Sequence, residues 1–255
     1  MRWLEVFAVA ALGLSLSGCA SDGAATRRAV DAETKEASDL QVKLGRGYMD
    51  RGELEVALER LQRAIEIDPR NVDAYTLLGV LHVRINRPEK AEGYYRKAAQ
   101  IAPENGEVNN NLGAFLCSIG QFAQAEPYFL KAVDDPFYRT PDDALANAGV
   151  CAVKANDMVK GEQYFRRVLE LKPNHAVALF ELARMSYLTN NDMRARAFLQ
   201  RLEAVTPEGP IMLDLGQRIE TRIGDSAAAN RYSERLRANF PDYVPDPSLG
   251  QANQP

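Results

Sequence analysis

Small and apolar residues recur along this chain at a fixed interval of 34 residues. Gly45, Gly79 and Gly113 follow this interval, and alanine, apolar or aromatic, and proline positions accompany them at constant offsets. The spacing predicts two antiparallel helices per unit, with small residues where the helices approach closely and proline ending the second helix. The accompanying residues are Ala57, Ala91 and Ala125; Leu61, Tyr95 and Phe129; Ala64, Ala98 and Ala132; and Pro69 and Pro103.

This pattern resembles the tetratricopeptide repeat, whose period is 34 residues. The resemblance implies an all-α fold, a right-handed superhelical solenoid of about six helix-turn-helix repeats. Two extra residues enter the register between residues 134 and 141, and the last unit is a degenerate cap. The tail, residues 244–255, is rich in proline and polar residues and is predicted to be disordered. The predicted solenoid spans residues 38–243, with units at 38–71, 72–105, 106–139, 142–175, 176–209 and 210–243.

The N-terminal residues have the pattern of a signal peptide at 1–18. Arg2 precedes an apolar run over residues 6–16, which is too short to span a bilayer. The following Leu-Ser-Gly-Cys resembles the lipobox of bacterial lipoproteins, which makes Cys19 the expected lipidated residue; an ordinary secretory signal is the alternative. Ala20 after it implies the periplasmic face of the outer membrane of a Gram-negative bacterium. Residues 19–37, which include Cys19, are small and polar and favour a flexible tether.

The composition argues against catalysis and nucleic-acid binding. The chain carries 31 Lys and Arg against 35 Asp and Glu, a formal charge of -4, so a field that attracts polyanions is not expected. Only two His and three Cys are present, and neither His82 nor His175 has a second ligand residue at metal-binding spacing along the chain. We therefore expect no enzyme activity, no cofactor, no metal and no small-molecule substrate.

Repeat arrays of this kind bind peptide segments on the surface lined by the first helix of each unit. The positions that face this groove predict apolar contacts from Leu77, Val80 and Val83 in the second unit. They also place amides at Asn110, Asn111 and Asn147. An amide can satisfy both backbone groups of an extended peptide, although a structural hydrogen bond to a neighbouring helix is the alternative.

The two remaining cysteines occupy first helices of adjacent units. Cys117 and Cys151 lie at similar heights in the predicted repeat, so a disulfide is geometrically plausible. The oxidising periplasm favours this bond. Two buried free thiols are the alternative.

A more specific resemblance comes from the middle of the chain. Residues 110–117 (NNLGAFLC), the Pro136-Phe137-Tyr138 sequence and residues 147–151 (NAGVC) resemble the PilF or PilW family of type IV pilus biogenesis lipoproteins. The resemblance implies a pilotin, which uses the lipoprotein-sorting machinery and helps secretin subunits reach the outer membrane and multimerise there. The alternative is a lipoprotein adaptor for periplasmic cell-wall hydrolases or proteases.

Overall fold

The computed structural model describes residues 20–250, and these form twelve α-helices followed by a short 3-10 helix at Pro247–Gly250, with no strand among them. The all-α class and about six helix-pair repeats are thus confirmed. The predicted signal peptide and Cys19 lie outside the described residues, as do residues 251–255. The helices are α1 Ala20–Asp50, α2 Leu54–Ile67, α3 Val72–Arg84, α4 Pro88–Ile101, α5 Gly106–Ser118, α6 Phe122–Asp134, α7 Pro141–Lys154, α8 Met158–Leu171, α9 Ala176–Leu188, α10 Asp192–Glu203, α11 Pro210–Ile223 and α12 Ser226–Asn239.

Each helix pair turns through one residue with a left-handed backbone. The φ angles of these residues lie between 55° and 90°, in the region that Gly and Asn enter most readily. Their spacing is 34 residues throughout, except for 36 between the third and fourth, where the two extra residues enter. The left-handed residues are Gly52, Asn86, Gly120, Asn156, Asn190 and Gly224.

The described chain divides into two compact units, one ending at Ala74 and the other beginning at Tyr75. In the first unit, α1 packs on α2 through Leu61, which is fully buried against Gly45. Asn71 joins the two ends of this unit: its Nδ2 donates to Ser38 Oγ at 2.8 Å, and its Oδ1 accepts from the amide of Ala74 at 3.0 Å. Asn71 thus caps α3 and also holds α1 through Ser38, which lies 33 positions earlier in the chain.

In the second unit, a glycine on the first helix of a pair faces an aromatic ring 16 residues later on the second helix. A Cβ atom at Gly113 would lie 2.9 Å from the Phe129 ring, and one at Gly149 would lie 2.7 Å from the Phe165 ring. Both rings are fully buried. The absence of a side chain at these glycines therefore allows the closest helix approach in each repeat, as the periodicity predicts.

The N-terminal part of α1 differs from the predicted flexible tether, because residues 20–37 are helical and continuous with the packed part of α1. The segment contains Ala, Glu, Lys and Arg, which have high helix propensity, and no proline. A helix nucleated by packing after residue 38 can extend through such a sequence at little cost.

The C-terminal tail also differs from the prediction of disorder over residues 244–250. Leu249 is only 2% exposed. The Tyr243 hydroxyl donates to Asp214 at 3.1 Å, and Arg218 on α11 donates to the carbonyl of Asp246. These contacts bury one apolar side chain and pair the polar groups beside it, which the low hydrophobicity of the tail did not indicate.

Candidate protein-interaction surface

The apolar groove residues predicted on α3 differ in how much surface they offer. Leu77 is 8% exposed and Val80 packs against the main core of the second unit, whereas Val83 is 46% exposed. Position within a repeat gives the direction of a side chain but not how far its neighbours cover it. Val83 is therefore the member of this trio with most apolar surface available to a ligand.

The three predicted amides lie on adjacent first helices, α5 and α7. Asn147 Nδ2 donates to Asn110 Oδ1 at 3.0 Å, so these two side chains form a structural hydrogen bond between the helices. Asn111 is half-buried and forms no side-chain hydrogen bond within the described residues. Of the three amides, Asn111 is the one with both polar atoms open to a partner.

Cys117 and Cys151 are joined in a disulfide, with their Cα atoms 5.7 Å apart. Both residues are buried in the main core of the second unit. The bond links α5 to α7 on the same pair of helices that Asn110 and Asn147 connect, so the two helices are fixed by one covalent and one polar contact.

A cavity of about 460 Å³ lies between the start of α5, the loop before α7 and the start of α7. The loop, residues 135–140, is hereafter called the Phe137 loop; it holds the extra residues that interrupt the repeat register. Phe137 is 90% exposed at the edge of the cavity. The cavity is lined by Asn105, Glu107, Asn110, Asn111, Asp135, Phe137, Tyr138, Arg139, Thr140 and Asp143.

The environment of this cavity is negative. Burial raises the pKa of Tyr138 above its ordinary value, a hydrogen bond to Thr140 opposes this change, and the nearby carboxylates of Asp143 and Glu107 raise the pKa further. Carboxylates raise the pKa of a phenol because they disfavour a second negative charge beside them. A cationic group would be stabilised at the same place.

A second cavity, of about 510 Å³, lies among α6, α7 and α8. On its wall, the Tyr164 hydroxyl donates to Glu126 Oε1 at 2.6 Å, and Lys160 pairs with the other carboxylate oxygen at 3.1 Å. The hydrogen bond from Tyr164 is the main cause that lowers the pKa of Glu126, while burial opposes it. Because these polar groups satisfy one another, the network ties the third repeat to the fourth.

The structure brings carboxylates to His175 that its sequence spacing did not reveal. Asp142, Asp143 and His175 each offer one ligand atom, and these atoms lie within 4.8 Å of one another. His175 Nδ1 accepts from the amide of Ala178 and so caps α9, while its Nε2 lies 3.2 Å from Asp143. Lys172 pairs with Asp142 at 3.0 Å. A helix cap and two polar pairs account for all three side chains.

Comparison with known proteins supports the repeat assignment. The family model described as tetratricopeptide repeat matches residues 42–106 and 118–176. The crystal structure of PilW, described as a widely conserved type IV pilus biogenesis factor, is 31% identical, covers 81% of this chain and 94% of its own, and superposes with a TM-score of 0.73. The chain belongs to the PilF/PilW family of tetratricopeptide-repeat proteins.

Two further comparisons agree with the PilF/PilW assignment. The type IV pilus assembly protein PilF of Pseudomonas aeruginosa is 29% identical over 230 residues, which are 90% of this chain and 91% of that protein. A solved structure of Pseudomonas aeruginosa PilF is 28% identical, covers 83% of this chain and 95% of its own, and gives a TM-score of 0.74. The family resemblance indicated by residues 110–117 and 147–151 is confirmed.

The described part of this PilF/PilW-family chain contains no helix that is both long enough and apolar enough to cross a membrane.

The predicted binding positions do not include the Phe137 loop. The sequence offered a reason to consider it as a candidate surface, since an aromatic residue in an insertion is not required by the repeat core.

Proposed function

We propose that this PilF/PilW-family protein is a pilotin of the type IV pilus: it binds secretin subunits and promotes their localisation and multimerisation at the outer membrane. The observation that carries the proposal is the similarity in sequence and structure, over most of both chains, to PilW, a type IV pilus biogenesis factor. A repeat scaffold of this class presents surfaces for protein segments, which suits an escort protein.

The binding surface in this proposal is the face formed by the first helices α3, α5 and α7, hereafter the candidate binding face. Val83 supplies exposed apolar area and Asn111 supplies an open amide. The amide can accept from and donate to the backbone of an extended segment. The disulfide between Cys117 and Cys151 and the Asn110–Asn147 hydrogen bond hold α5 and α7 in place, which reduces the conformational entropy lost on binding.

Lipidation of Cys19 is the second part of the proposal. A buried methylene contributes about 0.8 kcal/mol to membrane binding, so one acyl chain anchors a protein only marginally and several chains anchor it stably. Sorting of the lipidated chain to the outer membrane would raise the local concentration of secretin subunits there, because a tethered partner binds at an effective concentration set by its tether.

The protein acts in this proposal by differential binding and not by catalysis. The repeat occupies almost all of the described residues, and the charged clusters in it consist of caps and paired side chains, such as the His175–Asp143 hydrogen bond and the Glu126–Lys160 ion pair. Secretin monomers and multimers expose different surfaces, so a protein that binds one form better shifts the equilibrium between them.

A binding assay with a matched pair of variants tests the proposal. The full-length protein in detergent is titrated with the purified periplasmic region of the pilus secretin from the same organism. Val83→Glu on the candidate binding face should weaken binding by about tenfold, and Val159→Glu, which changes a 72% exposed valine on the second helix α8, should leave it unchanged. Wild-type protein that fails to bind the secretin, while peptidoglycan hydrolases co-purify with it, would favour the adaptor alternative.

A further inference from the structure

The side chain of Phe137 is the most exposed large apolar group in the described part of the chain, at 90%. The repeat does not require it, because it lies in the insertion between the third and fourth units. Leaving an aromatic ring in water forgoes the burial free energy that phenylalanine normally gains in a fold. A side chain in such a position suits contact with another molecule.

The backbone under Phe137 is held in place by a residue at its base. Asp135 Oδ2 accepts from the amide of Gly106 at 2.7 Å, and Oδ1 accepts from the amide of Phe137 itself at 2.9 Å. Tyr138 packs against Gly106, where a Cβ atom would lie 2.6 Å from the tyrosine Cβ. The loop therefore presents its aromatic ring from an ordered backbone, and binding through it loses little conformational entropy.

Negative charge flanks the ring on both sides. One side is the cavity of about 460 Å³ with Glu107 and Asp143, and on the other side lies a further cavity of about 460 Å³ with Glu104 and Asp134. With Asp135, which lines both, these make five carboxylates against two cations, Lys131 and Arg139. Anionic partners such as phospholipid headgroups are disfavoured beside this excess, and basic side chains are favoured.

We propose that the Phe137 loop is a second docking surface, which receives a secretin segment that places a basic side chain next to an apolar residue. The apolar residue covers the Phe137 ring, and the basic side chain enters the flanking cavity beside Glu107 and the open amide of Asn111. This inference rests on the proposed function and adds the chemistry of the segment. Since Asn111 lines the cavity and belongs to the candidate binding face, one extended segment can contact both.

The test measures secretin binding by variants of the loop. The full-length protein in detergent is titrated with the purified periplasmic region of the secretin, and thermal unfolding checks that each variant is folded. Phe137→Ser should weaken binding by about tenfold, as loss of an aromatic anchor does, and Phe137→Tyr should stay within about twofold of wild type. Val159→Ser, on an exposed valine outside the loop, is the control.

Neutralising carboxylates beside the Phe137 loop tests whether the bound secretin segment carries a basic side chain. Glu104→Gln combined with Glu107→Gln should weaken binding at low salt, and the difference from wild type should disappear at about 1 M salt, where the screening length is about 3 Å. Glu170→Gln combined with Glu234→Gln removes the same charge from exposed positions elsewhere and should leave binding unchanged. A secretin peptide that competes for the loop should lose competition when its Lys and Arg are replaced by Gln.

The outcomes separate this inference from the proposed function. If the wild type binds the secretin, and Phe137→Ser and the Glu104→Gln, Glu107→Gln double variant both bind as tightly, the loop assignment is overturned and the proposed function stands. If the wild type does not bind, the proposed function fails and the inference fails with it. Self-association that Phe137→Ser abolishes, with secretin binding unchanged, would show a second copy of this chain as the occupant and would also overturn the inference.

Discussion

Asn147 donates its side-chain amide to Oδ1 of Asn110 and so links the first helices of the third and fourth repeats. The bond uses Asn147 Nδ2 and Asn110 Oδ1, so Asn111 is the amide of the three with both polar atoms unpaired within the described residues. We predict that Asn147→Ala lowers the free energy of unfolding by about 1 kcal/mol, the usual value of a partly buried hydrogen bond. Chemical denaturation measures this. Asn111→Ala, which breaks no side-chain hydrogen bond in the described residues, should change stability by under about 0.5 kcal/mol; equal losses in both would contradict the assignment.

The Cys117–Cys151 disulfide closes a loop over a sequence separation of 34 residues. In the chain-entropy model, a loop of this length contributes about 3 to 4 kcal/mol to stability. Denaturation of the oxidised wild type and of Cys117→Ala combined with Cys151→Ala should differ by about this amount, plus the packing lost with the two buried sulfur atoms. Two free thiols found by mass analysis of periplasmically produced protein would rule out the bond.

The glycines of the repeat divide into those that a neighbouring ring requires and those that it does not. Gly113→Ala places a methyl group 2.9 Å from the Phe129 ring and 3.2 Å from the Ala125 carbonyl oxygen, so we predict a loss of about 1 to 3 kcal/mol. Gly93 lies in α4 with nothing within 4 Å of an added Cβ. Gly93→Ala should therefore gain about 0.5 to 1 kcal/mol from helix propensity. Thermal melts that rank the two variants in the opposite order would refute this division.

His82 makes stability depend on pH. It is 2% exposed, stacks on Tyr94 at 5.1 Å between ring centroids, and has no hydrogen-bond partner for Nδ1 among the described residues. Burial lowers the pKa of His82, and the nearby cations Lys90 and Arg87 lower it further.

The sign of the pH effect follows from this direction. The unfolded chain takes up a proton near the ordinary histidine pKa of about 6.5, while the folded protein resists it. The stability that comes from keeping His82 neutral is therefore present above about pH 6.5 and is lost as the pH falls below it, until the folded-state pKa is reached. His82→Phe should remove this part of the slope between pH 7.5 and pH 5, measured by denaturation at each pH. The same slope in wild type and variant would assign the effect to other groups.

The sequence predicts the repeat because a 34-residue interval of Gly, Ala and Pro is dictated by local packing within each helix pair. The same reasoning could have found the turn residues, since Gly52, Asn86 and Gly120 keep that interval. The helical extension of α1 over residues 20–37 escaped prediction because its Ala, Glu, Lys and Arg residues favour a helix without forming an apolar period.

The details of the interaction surface depend on contacts between distant residues. Phe137 is exposed on an ordered loop because Asp135 binds the amide of Gly106, 29 positions earlier. Asn147 is paired because Asn110 lies opposite it, 37 positions earlier. Sequence position fixes neither pairing, so the prediction placed the three amides on adjacent first helices but did not separate Asn111 from its neighbours.

The amount of detergent-resistant secretin multimer in outer-membrane fractions tests the pilotin proposal most directly. Cells that carry the wild type, a deletion of this protein, or Cys19→Ala are compared at equal secretin expression. We expect the deletion to lose the multimer, and Cys19→Ala to leave secretin monomers in excess or in the wrong membrane. Normal multimer levels in both strains would contradict the proposal that this protein is a lipid-anchored pilotin.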